Sequence, residues 1–453
     1  MSQQQNITQV FSDLTAKAKA AQAQVEMTVS EGDKFSATYQ DRKLKKYSSD
    51  QTASAVVRVL KGSGVGIATT ENLSAESLAE CFAAALQSAK DLDQGGEPED
   101  LVAPAASYPD VKLFVSDYEE VPIAERLKWA ESLEQEALDL DQRVSNVPYS
   151  GVTLSSGKTR LLNSKGLDRS YQSSGISGYS YALAKEGDKS KSGYHSFFRR
   201  EAKDLPLKET AHEGATRALD LLSAVQPKTG QVPAVLTNDV AAQLLSILGH
   251  HLSAKSIDEN TSMLKDKKGS AVLSPVLNIA DNPLASELPG SRPFDAEGTP
   301  SQQTALFKDG ILENYLTNSF YARKLGLPST GNAVRGRAGM DIAPSNLVVA
   351  PGTKTFEELV NMAPEVVVIT EESGFHSGMK EMTGDFSLPA YGALYRNGKK
   401  VQSLEQFVIS GNVFELMKSV TAASNRLNEN GGSVVAPDLF VPALSIAGES
   451  KEN

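Results

Sequence analysis

The chain has 453 residues, 40% of them hydrophobic and 22% charged, with 45 Lys and Arg against 56 Asp and Glu for a net charge of −11. That length favours two domains, and the acidic balance excludes a general nucleic-acid binder, which needs a basic footprint to displace counterions. The single cysteine, Cys81, excludes an intrachain disulfide framework and a cysteine-rich zinc site, and no stretch approaches the ~20 apolar residues of a membrane span.

In chain order, the start "MSQQQNITQVFSDL" has neither the basic n-region nor the apolar core of a signal peptide, so a soluble, cytoplasmic protein is expected. Residues Ile7 to Gln24 read as a helix with Val10, Leu14 and Ala18 on one face. Alternating segments follow, and the glycines of "KGSGVG" read as a hairpin turn; a phosphate loop would need Lys-Ser/Thr and a helix after it. "SAESLAECFAAALQSAKDLD" is an amphipathic helix capped by Ser74, with Cys81 on its apolar stripe as a core thiol. Basic runs such as "DRKLKKY" and "KDKKG" read as solvated turns or strand ends.

A second long helix is expected from Ile123 to about Asp141, packing with the first on one sheet. Strands predominate from Val147 to Arg200, helix returns from Leu207 to Val225, and after Ser262 the chain is largely β. "LFKDGILENY" and "LYRNGKKVQ" carry the Asp-Gly and Asn-Gly signals of tight hairpins. The predicted fold class is α+β: an N-terminal α+β domain over residues 1–225, then a β-rich domain with inserted helices over 226–453.

"LLSILGHHLSA" (244–254) combines the spacing of a buried helix with two adjacent histidines. A helical cap is expected at Asn238 or Asp239, and Gly249, costing about 1 kcal/mol against alanine, suggests close approach by another backbone. Neither His250 nor His251 has a histidine four residues away, and neighbouring residues point ~100° apart, so this helix by itself cannot hold a metal. His376 in "GFHSG" is the other candidate: meeting His250 near Glu371, Glu372 or Asp385 it would make a metal or acid–base site, and otherwise it sits in a structural loop. Asp295 and Glu297 in "FDAEGTP" are a carboxylate pair suited either to acid–base work or to turn chemistry with Gly298 and Pro300. Arg335 and Arg337 suit either a peptide carboxylate or a solvated loop. Ser246, inside a helix, lacks the exposed turn of a serine nucleophile.

The ordered motifs "LLSILGHHLSA", "RPFDAEGTPSQQTALFKDGIL", "FYARKLGLPSTGNA", "GFHSGMKEMTGDFSLPAYGALYRNG" and "VISGNVFELMKSV" resemble the TldD/PmbA family of peptidase-related proteins, in its PmbA (TldE) branch, which has also carried the label "modulator of DNA gyrase". In the TldD branch the corresponding helix bears His-Glu-x-x-x-His, with a later cysteine as third zinc ligand. Aligned on the shared Gly-His, the first histidine falls on Leu245, the glutamate on Ser246 and the second histidine on His250. The resemblance therefore implies a degenerate site without a bound cofactor, zinc being supplied by a partner. The expected protein is the non-catalytic subunit of a TldD/TldE-type metallopeptidase acting on unstructured peptides. Its partner is a TldD-like catalytic subunit or a second copy of itself, and His250, His376 and Asp295, Glu297, Gly298 and Thr299 line the peptide chamber. Two alternatives stand beside it: an independent peptidase built on His250 and His376, and a homodimeric peptide-binding protein that cleaves nothing.

Overall fold

The structure, a computed structural model, describes residues 3–336, 339–428 and 430–449. Strands β1 (Gln24–Gln40), β2 (Lys43–Lys61), β3 (Gly64–Thr70), β4 (Val144–Asn163), β5 (Asp168–Glu186) and β6 (Lys189–Arg199) form one antiparallel sheet in the order β3-β2-β1-β4-β5-β6. The β1–β2 turn places Asp41 and Arg42 at φ 56° and 57°, the left-handed pair that joins twisted strands tightly. The expected helix 7–24 is observed as Gln3–Ala20; Gln22, at φ 53°, breaks it, and β1 begins at Gln24.

Period-2 alternation decides which face of this sheet is covered. On β1, Val25, Met27 and Val29 pack under the helices Gln3–Ala20 and Ala75–Asp91, and Cys81 is buried in the same cluster. Phe35 and Ala37, on the same face, pack with Val152, Leu154 and Ile176 against the helix Ile123–Leu140. Helix Leu207–Leu222 completes this layer, so closely that a Cβ on Gly193 of β6 would stand 2.4 Å from the Gly214 carbonyl oxygen. Ser74 caps the second helix, accepting the Ser77 N–H. The opposite face carries Glu26 and Thr28 of β1 and Arg58 of β2, and receives the C-terminal half of the chain.

In that half, Glu365–Glu372 pairs in parallel with Gly230–Leu236, which pairs with Pro437–Ala447, then Lys399–Asn412, then Asp385–Arg396. Asp385–Arg396 pairs back with Glu365–Glu372, so five strands close into a ring. Both faces of "EVVVIT" are packed, Val367 and Ile369 in one apolar cluster and Val366 and Val368 in another, which explains its continuous apolar run. Both hairpins expected from Asp-Gly and Asn-Gly form, with Asp309, Gly310, Asn397 and Gly398 all at positive φ. The molecule is α+β, as expected.

Candidate functional site

The histidine-bearing segment is three short helices, Asn238–Leu245, Leu248–Leu252 and Ala254–Asp258. Between the first two the backbone tightens: the N–H groups of Ser246, Gly249 and His250 each bond a carbonyl three residues back. Thr237, rather than Asn238 or Asp239, holds the cap position, and the Asn238 N–H bonds the Asp438 carboxylate instead. Leu244, Leu245, Ile247 and Leu248 are at most 3% exposed and join the main core of the C-terminal half. Gly249 faces the ring of Pro344, at 3.4 Å from a built Cβ, so a side chain and not a backbone approaches it.

Ser246 is exposed, contrary to its expected place in the helix interior, and its hydroxyl donates to the Gln243 carbonyl at 2.6 Å. With His250, Ser256, Asp341 and Pro344 it lines a pocket of about 320 Å³. The His250 ring lies between the Thr261 carbonyl (3.2 Å from Nε2) and the Ser256 hydroxyl (3.5 Å from Nδ1). His251 is fully buried: its Nδ1 accepts the Met263 N–H at 3.1 Å, which makes Nε2 the donor to the Glu381 carbonyl at 2.8 Å. Burial lowers its pKa to about 4. Sequence reasoning missed this clamp, since only the fold brings 263 and 381 to it.

These donors do not fit zinc. Leu245 is 0% exposed in the core, Ser246 is turned onto its own helix, and among the described residues no three His, Cys, Asp or Glu side chains cluster to hold an ion.

The remaining candidates fall in separate surroundings. His376 is exposed in the short helix Phe375–Gly378 and does not line the His250 pocket. Glu371 and Glu372 line a different pocket, of about 390 Å³, with Asp239, His195 and Arg217. Burial raises both, Glu372 to about 7, with Glu371 and Asp239 adding to its rise. Asp385 accepts from Thr383 and Asn412, which hold its pKa low.

"FDAEGTP" lies at the junction of the two halves. Phe294 packs with Leu161 of β4 and Leu167 of the β4–β5 turn and meets Tyr108 and Tyr171 edge-on, with ring centroids at 6.0 and 5.3 Å. Gly298, at φ 86°, stands where a Cβ would be 2.3 Å from Leu167, and its carbonyl accepts the Tyr108 hydroxyl at 3.1 Å. Asp295 Oδ1 accepts the N–H groups of Glu297 and Thr299, the turn chemistry foreseen, and Oδ2 that of Ala333. Glu297 Oε2 accepts the Ser319 N–H at 2.9 Å. The two carboxylates are 3% and 2% exposed. Burial raises Asp295 to about 6 and Glu297 to about 7; the charge of Asp295 adds to the rise at Glu297, while Arg292 and Arg58 oppose these shifts. Arg335 donates to Glu26 Oε1 at 2.9 Å and to Thr28, binding the two halves rather than facing solvent. Arg337 lies outside the described residues.

Three family models cover the chain: PmbA/TldA metallopeptidase domain 1 at residues 25–89, the central domain at 116–222 and the C-terminal domain at 229–448. The chain belongs to the PmbA/TldD family. It is 28% identical over 439 residues to the metalloprotease PmbA of Escherichia coli O157:H7, covering 96% of this chain and 94% of that protein. A TldD homologue of Haemophilus influenzae matches at 28% identity over 239 residues, 52% of this chain and 49% of that one. Among solved structures, a Thermotoga maritima protein described as a modulator of DNA gyrase superposes with a TM-score of 0.89 at 29% identity, covering 97% of this chain and all of that one. TldE of Thermococcus kodakarensis shares the fold, with a TM-score of 0.86 at 20% identity over 97% of this chain and 100% of its own. Within the PmbA/TldD family, then, similarity to PmbA runs along nearly the whole length and similarity to TldD along about half.

Proposed function

We propose that this chain is the non-catalytic subunit of a two-part metallopeptidase acting on unstructured peptides, its TldD-like partner supplying the zinc and the glutamate base. One observation carries the reading: at the three positions where the TldD branch places His, Glu and His, this chain has a leucine sealed in the core, a serine bonded to its own helix, and one histidine held by Thr261 and Ser256. A lone imidazole supplies one of the three protein ligands of a catalytic zinc and has no carboxylate beside it to act as general base. In this reading His250 and His376 face the peptide chamber, and Asp295 to Thr299 support its wall from beneath. Among the described residues no helix is long and apolar enough to cross a membrane.

The test is metal content and peptide cleavage by the purified chain, alone and mixed with a TldD-type subunit. Cleavage that appears only in the mixture, with zinc in the partner, supports the proposal. Stoichiometric zinc and chelator-sensitive cleavage by the chain alone would overturn it and assign the chemistry to His250 and His376.

A further inference from the structure

Between the two halves lies a cavity of about 1100 Å³, beyond the ~300–1000 Å³ of small-molecule sites. One wall is the segment 107–116, which runs without a turn or a bend. It is fastened at both ends. Tyr108 is held by its hydroxyl bond to Gly298, and Leu113 and Val115 are bonded to Ser174 of β5. Between these fastenings, the main-chain groups of Pro109, Asp110, Val111 and Lys112 have no partner among the described residues. These four residues line the cavity, and main chain with unpaired groups beside a groove can pair with another extended chain.

The other walls fit such a chain. Tyr171 and Phe198, both half-buried, offer apolar seats for side chains, with the buried Phe294 behind Tyr171. Five cations line the cavity against three carboxylates, in a chain whose net charge is −11. Arg169 lies over the Tyr108 ring at 4.7 Å, and both Arg169 and Lys112 are exposed. Arg200 is spent on the architecture: its guanidinium is buried and donates to the carbonyls of Leu113, Ser174, Ser286 and Leu288, tying three walls of the groove together. The groove is therefore formed before anything enters it, which lowers the entropy cost of binding.

We infer that this groove takes an extended, carboxylate-bearing peptide, which pairs through its main chain with the strap at Asp110–Lys112 and sets its acidic side chains toward Lys112 and Arg169. The inference deepens the proposed function by giving the non-catalytic subunit a site for holding peptide. Main-chain pairing is tolerant of sequence, as a subunit serving unstructured peptides requires.

The experiment uses the full chain alone and fluorescence anisotropy. The probe is a fluorescein-labelled, unstructured dodecapeptide of Asp, Glu, Phe, Ser and Gly, compared with the same peptide N-methylated at alternate residues. Loss of two or three main-chain bonds should weaken binding roughly tenfold or more for the N-methylated peptide. Of the variants Val111→Pro and Lys112→Pro, the second read against Lys112→Ala so that loss of the cation cancels, one should weaken binding similarly and the other little, because alternate residues of an extended strap point opposite ways. Lys112→Glu with Arg169→Glu, both exposed, should weaken the acidic probe several-fold and remove its salt dependence. Equal binding of normal and N-methylated peptides, no binding by the folded wild type, or tighter binding of a single-stranded oligonucleotide would overturn the inference. Partner-dependent cleavage is read separately, so it can survive the failure of this site, and this site can survive the failure of that reading.

Discussion

A carboxylate removed from water resists ionisation, and two placed together resist it more. At Asp295 and Glu297 that physics makes the junction of the two halves sensitive to pH. Both are raised in the folded protein, so between the ordinary carboxylate range and about 7 the folded state holds more protons than the unfolded one. Stability from this pair therefore falls as pH rises through that window, the reverse of the usual salt-bridged carboxylate. Glu297→Gln keeps an acceptor for the Ser319 N–H and removes the charge. It should stabilise the protein at pH 8 by on the order of 1–3 kcal/mol and change little at pH 4.5, as read by denaturant melts at the two pH values. An unchanged pH slope would contradict the assignment. His251 acts in the opposite sense. Its pKa is lowered to about 4 by burial, so its contribution is complete above about 6.5 and is lost as pH falls toward 4. His251→Gln should flatten the acid limb of the stability profile while lowering the plateau by about 1–3 kcal/mol, the cost of imperfectly remaking two buried bonds.

At the scale of one element, the helical segment 238–258, three short helices in succession, is held by its packing and not by its propensity. Leu245 belongs to the same core as Leu236, Leu439 and Ile369, so grafting the family's metal motif with Leu245→His and Ser246→Glu would put an imidazole where a leucine is sealed from solvent. We expect destabilisation of about 2–5 kcal/mol and no zinc retained after dialysis. Stable folding with bound zinc in the double variant would mean that the helix turns more freely than its packing implies. Gly298 is the second element-scale constraint. Its positive φ and the 2.3 Å approach of Leu167 to a built Cβ leave no place for a side chain. Gly298→Ala should lower the melting temperature by several degrees, as about 1–3 kcal/mol does in a chain of this size.

At the scale of the whole molecule, the two halves are joined across the face of the first sheet that its helices leave open and by ion pairs such as Lys191–Glu405, Arg217–Asp239 and Lys400–Asp220. Phe294 fills an aromatic socket, Arg335 reaches Glu26 and Thr28, and Arg200 holds three backbone segments. Phe294→Ala removes the ring at the centre of that contact, at a cost of about 3–5 kcal/mol. We expect calorimetry to resolve two transitions in this variant and one in the wild type, because each half keeps its own core. A single transition shifted downward would show that the halves unfold together even without the ring.

Much of the fold was legible because it rests on local rules. Alternation marked the long strands, Asp-Gly and Asn-Gly marked two hairpins, Ser74 marked a helix start, and the apolar stripe around Cys81 marked a buried face. The absence of His at 245 and Glu at 246 was equally a fact of the sequence. What the tertiary structure alone decided is long-range. The closing of five strands into a ring, the clamp on His251 and the burial of Glu297 within reach of the Arg58 charge all join residues far apart in the chain, and the exposure of Ser246 depends on what distant segments leave uncovered. Hydrophobic period and turn chemistry act over a few residues and can be read from them. Burial, and the pKa it sets, depends on which distant segment comes to cover a group, and no local pattern encodes that partner.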